Sequence, residues 1–137
     1  MIKSSSIIRL AFSGLLLIFL NSTVIYAQRF YDGAGRYIGR VENNRFYDAR
    51  GRNIGRIDKD RVYDGSGRNL GRIDKNRLYD AQGRNIGRVD GNRLFDASGR
   101  HIGRIDGERI YDGSGRYIGR ADGVGQREIV LFFYFYF

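Results

Sequence analysis

Between Arg29 and Val124 the chain repeats one short alternation of polar and apolar positions six times, without an insertion or a deletion. The 16-residue copies begin at Arg29, Arg45, Arg61, Arg77, Arg93 and Arg109. Each runs Arg, apolar, aromatic, Asp, Gly or Ala, x, Gly, Arg, x, Ile or Leu, Gly, Arg, apolar, acid and two turn-like residues. No stretch of it spaces apolar residues three and four apart over several turns; short β-prone runs are divided by turn signals instead. A strict period of this kind marks a stacked or closed array. The pattern predicts an all-β fold in which six tandem 16-residue repeats form antiparallel β-hairpins, arranged as a closed array.

The dipeptides Asn43-Asn44, Lys59-Asp60, Lys75-Asn76, Gly91-Asn92 and Gly107-Glu108 suit two-residue corners of the primed types. Gly91-Asn92 is the best of them and Lys59-Asp60 the weakest, since there only the Asp takes positive φ readily. Two-residue corners set the register, and the register sets the neighbours. Beside each corner an acid faces the leading arginine of the next copy, as Glu42 faces Arg45. One step on, two apolar residues meet, as Val41 meets Phe46. One further, the last arginine of a copy lies opposite an aromatic ring: Arg40 with Tyr47, Arg56 with Tyr63, Arg72 with Tyr79, Arg88 with Phe95, Arg104 with Tyr111. Cross-strand pairs of this kind are worth roughly 0.2 to 1 kcal/mol each, cation–π stacking at the upper end.

The second turn, Asp32 to Gly35 and its five equivalents, places an Asp that accepts backbone N–H groups and a Gly that takes the left-handed conformation. Gly39 and its equivalents lie inside the longer strand, where a glycine marks either a bulge or a bend; a bulge would bring Ile38 and Val41 to one side. Six copies give five complete hairpins, with Arg29–Asp32 and Arg116–Asp122 left as unpaired halves. Pairing those halves closes the ring and removes the exposed edges. At this point the chain resembles the bacterial five-fold β-flower proteins, through units such as Arg52-Asn53-Ile54-Gly55-Arg56-Ile57-Asp58 behind a signal peptide, over Arg29 to about Asp122. The resemblance implies a radial array of hairpins and no established activity, and six units stand where the family name has five. Tyr63-Asp64-Gly65-Ser66-Gly67-Arg68 is similar, more weakly, to the Tyr-Asp repeats of bacterial shell-forming proteins, whose period is longer.

Residues 1–27 carry the marks of a secretory signal peptide: Lys3 and Arg9, the apolar run Leu10 to Leu20, and cleavage expected between Ala27 and Gln28. Asn21, Ser22 and Thr23 cut that run short of a membrane span. The expected division is 1–27 signal peptide, 28–124 repeat domain and 125–137 apolar aromatic tail, with the protein exported to the periplasm, the outer-membrane surface or the medium. About 110 residues build only a thin core, and without a single cysteine no disulfide reinforces it. Setting Lys3 and Arg9 aside leaves 22 basic residues against 15 acidic, a net +7, and only Lys59 and Lys75 among the 22 are lysines. Arginines locked to repeat positions point to planar pairing and stacking more than to a diffuse basic coat.

Catalysis needs unlike groups in one place, whereas a repeat supplies the same group many times. His101, the only histidine, sits where other copies have Tyr or Asn and reads as a tolerated surface substitution. The chain is expected to be a non-enzyme without cofactor or metal: the Asp turns bring one carboxylate each, too few for calcium, and the glycines lack the lysine and helix of a phosphate loop. Nucleic acid is disfavoured, because the leading and last arginines have local partners and export removes the chain from nucleic acid; the arginine after each turn glycine, Arg36 and its equivalents, is left without an assigned partner. The expected function is an exported, non-catalytic structural or binding repeat protein of the bacterial envelope. The alternative is a surface module that binds anionic glycan or lipopolysaccharide through Arg40, Tyr47, Arg56, Tyr63, Arg72, Tyr79, Arg104 and Tyr111 and inserts its tail into membrane or a partner. The tail, Ile129 to Phe137, is nine consecutive apolar or aromatic residues, too few for a spanning helix and about right for a strand buried on both faces, as a core strand or plug.

Overall fold

In the computed structural model, residues 28–137 are described. The segment read from the sequence as a signal peptide, and with it Ala27, lies outside the described residues. Each copy supplies a four-residue strand and a six-residue strand. The short ones are β1 Arg29–Asp32, β3 Arg45–Asp48, β5 Arg61–Asp64, β7 Arg77–Asp80, β9 Arg93–Asp96 and β11 Arg109–Asp112. The long ones are β2 Tyr37–Glu42, β4 Asn53–Asp58, β6 Asn69–Asp74, β8 Asn85–Asp90, β10 His101–Asp106 and β12 Tyr117–Asp122. All pairings are antiparallel, and the twelve strands form one closed barrel. The two half-hairpins at the ends meet as expected, Arg29 with Asp122 and Phe30 with Ala121, so the ring closes without a covalent turn at that seam.

The corner register is the one that the two-residue loops dictate: Glu42 opposite Arg45, Val41 opposite Phe46 and Arg40 opposite Tyr47, with the same three pairs at the other four corners. The corner backbone differs in one respect. Asn43 and Asn44 both have positive φ, but at the next corner it is Lys59 (φ 57°), not Asp60, that carries it. Register is enforced by the ladders on both sides, and position within the corner decides which residue is left-handed, whatever its preference.

Each short strand meets the following long strand with a bulge. Phe30 pairs with Gly39 and Tyr31 with Tyr37, so Ile38 is the extra residue. Ile38 and Val41 consequently both pack on the core, although alternation alone would put them on opposite faces. The glycine is required by space: a Cβ on Gly87 would sit 2.5 Å from the carbonyl oxygen of Phe95. Inside the barrel lie the second residue of each copy, Phe30, Phe46, Val62, Leu78, Leu94 and Ile110, all buried, with Val41, Ile57, Ile105 and Ala121 from the long strands.

The tail is not a strand. Gln126–Phe135 is a helix, α1, with Ile129, Val130, Leu131 and Phe132 buried among the inward residues of the wall. The correction has a physical reason. Once β1 and β12 pair, the barrel has no edge left to receive another strand. A segment inside a closed wall must satisfy its own N–H and C=O groups, and a helix does that internally. A helix apolar nearly all round is one that is buried nearly all round. Its last turn sends four consecutive rings against the bulge glycines of four successive blades: Phe133 to Gly103, Tyr134 to Gly87, Phe135 to Gly71 and Tyr136 to Gly55. The Tyr134 and Tyr136 hydroxyls donate to the carbonyls of Phe95 and Tyr63, both at 2.6 Å. At the other end Gln126 donates to the Gly91 carbonyl at 2.9 Å, and Arg127 donates to that of Lys59. No helix among the described residues is long and apolar enough to cross a membrane.

Candidate functional site

With α1 packed against the inward residues of the wall, the repeated charged and aromatic groups lie on the outer wall. Five of the six last arginines lie over the aromatic ring across their corner hairpin. The guanidinium-to-centroid distances are 4.2 Å for Arg40 on Tyr47, 4.0 Å for Arg56 on Tyr63, 4.2 Å for Arg72 on Tyr79 and 4.3 Å for Arg104 on Tyr111. Arg88 stacks on Phe95 at 4.2 Å. The four Arg–Tyr pairs are the candidate residues read from the sequence, and the fold spaces them, with Arg88 and Phe95, round one belt. A sixth stack, Arg120 on Tyr31 at 4.1 Å, crosses the seam. It was missed because it exists only once the ring closes, although the expected pairing of the end halves already implied it. At about 0.5 to 1 kcal/mol each, the six stacks hold the belt in place without fastening it rigidly.

The ion pairs are distributed differently from the expectation. In four of the six copies the acid that ends the long strand reaches along its own strand to the last arginine two residues back: Arg40–Glu42 at 3.5 Å, Arg72–Asp74 at 3.8 Å, Arg104–Asp106 at 3.7 Å and Arg120–Asp122 at 3.0 Å. Residues i and i+2 share a face, and the stacked guanidinium is already held in one orientation, so it is the better partner. Five of the six arginines after the turn glycine, left unassigned by the sequence, are taken by their own turn: Arg36 Nε lies 2.8 Å from the Asp32 carboxylate, and Arg52, Arg68, Arg84 and Arg100 repeat the contact, while Arg116 meets Asp112 through its backbone N–H alone. Among the described residues none of the leading arginines, Arg29, Arg45, Arg61, Arg77, Arg93 and Arg109, has an ion pair, and all six are exposed; Arg56, Arg88 and Arg116 are likewise without one. Each stands in register opposite a last arginine on the following long strand, as Arg45 stands opposite Arg56 and Arg77 opposite Arg88. Like charges directly opposite disfavour the sheet, so six such pairs form a belt that a bound anion would relieve.

The Asp turns carry the other ordered charge. One oxygen of Asp96 accepts from the Ser98 hydroxyl at 2.7 Å and from the N–H groups of Ser98 and Arg100 at 3.0 and 2.9 Å. These contacts, the Ser98 hydroxyl foremost, hold its carboxyl down to about 2. The carboxyls of Asp32, Asp48, Asp64, Asp80 and Asp112 are lowered for the same kind of reason. A group whose folded pKa lies below its unfolded value stabilises the fold above the ordinary Asp range, and that contribution is lost as pH falls through the folded value. The denaturant midpoint should hold from neutrality down to about pH 4 and fall between about pH 4 and 2. A midpoint unchanged across that window would mean that the six turns do not hold their carboxylates ionised.

Residues 27–137 match the family profile described as 5-fold beta-flower protein. The chain belongs to the 5-fold beta-flower protein family. No curated protein and no solved structure matches it. This beta-flower chain has six repeat units, joined by five two-residue corners, with the sixth position taken by the non-covalent seam from which α1 turns inward. The family match runs to Phe137 and so takes in the plugging helix together with the wall.

Proposed function

We propose that this beta-flower protein is an exported, non-catalytic scaffold of the bacterial envelope, and that its outer wall docks on polyanionic surface glycan or lipopolysaccharide. The observation that carries the reading is the belt of unpaired leading arginines, each set beside a stacked last arginine. Guanidinium pairs suit sulfate, phosphate and carboxylate, which they grip with two parallel hydrogen bonds. Sixfold repetition of one group supports a binding surface over a catalytic site, which needs several different groups converging. The tail is assigned to the core of this scaffold and not to a membrane anchor, on the burial of Ile129, Val130, Leu131 and Phe132 inside the wall.

Binding of the mature protein, residues 28–137, to lipopolysaccharide and to polyphosphate tests the belt. Affinity should fall steeply with salt, since exposed charges are screened over about 10 Å at 0.1 M. Replacing Arg45, Arg61, Arg77 and Arg93 with Gln should lower it at least tenfold with an unchanged Tm. Replacing Arg52, Arg68, Arg84 and Arg100 with Gln should lower it less, because those guanidiniums are already shared with the turn carboxylates. Equal effects of the two sets would refute the belt. Cell fractionation tests export: the protein should be recovered outside the cytoplasm with Gln28 at its N-terminus.

A further inference from the structure

The belt is not the same all the way round. At the ninth position of the copy, the first, fifth and sixth units carry a ring, Tyr37, His101 and Tyr117, while the second, third and fourth carry Asn53, Asn69 and Asn85. Each of the rings lies edge-to-face on the aromatic residue of its own copy: Tyr37 on Tyr31 at 6.0 Å, His101 on Phe95 at 5.6 Å and Tyr117 on Tyr111 at 5.8 Å. In the first copy the leading arginine joins them, with the Arg29 guanidinium 5.7 Å from the Tyr37 centroid. An asparagine is too short to cover the same ground. In the fourth copy a cleft of about 380 Å³ remains, bounded by Arg77, Tyr79, Asn85, Arg88 and the next turn from Asp96 to Gly99. One copy earlier, Arg61, Tyr63, Asn69, Arg72 and the turn from Asp80 bound a second of about 400 Å³. Both volumes fall in the range of small-ligand sites.

The chemistry of the fourth-copy cleft is specific. Arg77 and Arg88 face each other in register, and among the described residues neither has a carboxylate within ion-pair distance. Arg88 is exposed, unlike the other five last arginines, which are half-buried. The Asn85 amide nitrogen donates to the carbonyls of Leu78 and Gly87, at 3.3 and 3.2 Å, which leaves its oxygen as an acceptor. The Asp96 carboxylate is committed to its own turn. Two guanidiniums ask for an acid, the Tyr79 ring for a ring to lie against it, and the amide oxygen for a hydroxyl.

We propose that the asparagine clefts are subsites for a uronate, a pyranose bearing a carboxylate, within an acidic polysaccharide, and that Tyr37 and Tyr117 fill the equivalent place in their own copies. The proposal rests on the belt reading above and names the sugar that the belt selects. The first copy shows that the geometry accepts a hydroxylated ring beside a leading arginine and a tyrosine.

The test exchanges residues between copies, so the fold has already accommodated each one at its position. Asn69→Tyr with Asn85→Tyr keeps every arginine and fills both clefts. Its binding of tetragalacturonate should fall at least tenfold, while its binding of inorganic polyphosphate, which needs only the arginines, should stay within twofold of the parent. Tyr37→Asn with Tyr117→Asn should raise the number of tetragalacturonate sites. Undiminished tetragalacturonate binding by the filled variant would overturn the proposal, as would an equal loss for both polymers. Preferential loss of single-stranded oligothymidylate binding would overturn it in favour of nucleic acid. A parent that binds polyphosphate but not tetragalacturonate removes the subsites and leaves the belt; a parent that binds neither removes both.

Discussion

Leu131→Ala should destabilise the protein by about 2 to 5 kcal/mol and lower its Tm by roughly 10 °C or more. Leu131 is fully buried, on a helix that fills the barrel without a disulfide anywhere in the chain to share the load. The loss has two parts, the transfer free energy of the removed methyl groups and the cavity they leave. A closed wall collapses poorly onto such a cavity, because moving one strand inward strains its two hydrogen-bonded neighbours, so the upper half of the range is expected. Phe137→Ala supplies the control. That ring is 55% exposed and should shift stability by no more than about 0.5 to 1 kcal/mol. Denaturant titration of the two variants decides the matter, and a Leu131→Ala change below 1 kcal/mol would mean that α1 is not the core.

The second large effect concerns the bulge. Gly87→Ala is expected to cost about 2 to 4 kcal/mol, from overpacking and the loss of a buried hydrogen bond together. The new Cβ would lie 2.5 Å from the Phe95 carbonyl oxygen and 2.5 Å from the Tyr134 ring. To make room, Tyr134 must leave the carbonyl to which it donates. Gly83→Ala separates space from backbone. Gly83 has φ +81° and nothing near its Cβ position, so that variant bears only the left-handed penalty of about 1 to 2 kcal/mol. The same two glycines also predict different pH behaviour. Burial pushes the Tyr134 hydroxyl up to about 12, so its contribution is complete below the ordinary tyrosine value of 10 and is lost as pH rises towards 12. Gly87→Ala should blunt that alkaline loss, and Gly83→Ala should leave it intact. Equal costs for the two variants, with the same alkaline profile, would show that the ring does not seat on the glycine.

Much of this was legible along the chain. Two-residue corners leave no freedom in the hairpin register, so the Arg40–Tyr47 stack and its repeats follow from counting, and so does the apolar pair one step nearer the corner. A glycine between Ile38 and Arg40 had two readings, bulge and bend, and only the pairing of Phe30 with Gly39 selects the first. The tail was misread for want of one combination. Its apolar length suits a strand, and the same sequence called for a closed ring; taken together, the two leave a strand with nowhere to pair. The ion pairs were misread because Cα register says which residues are opposite and not which side chains meet. A guanidinium lying flat on Tyr47 presents itself to Glu42 on its own strand, while Arg45, nominally opposite that acid, goes unpaired.

The amino-acid order thus settles much of what acts within two adjacent strands: the all-β class, the corners, the register, the cation–π pairs and the Asp turns, whose partners lie at most a few residues away or directly across a ladder. Closure settles the rest. The seam stack of Arg120 on Tyr31, the helical form of Ile129 to Phe135, the seating of four rings on four glycines and the clefts left by Asn69 and Asn85 all depend on elements far apart in the chain. Which of them form is decided by the space and the unsatisfied backbone groups that remain when the last edge has paired.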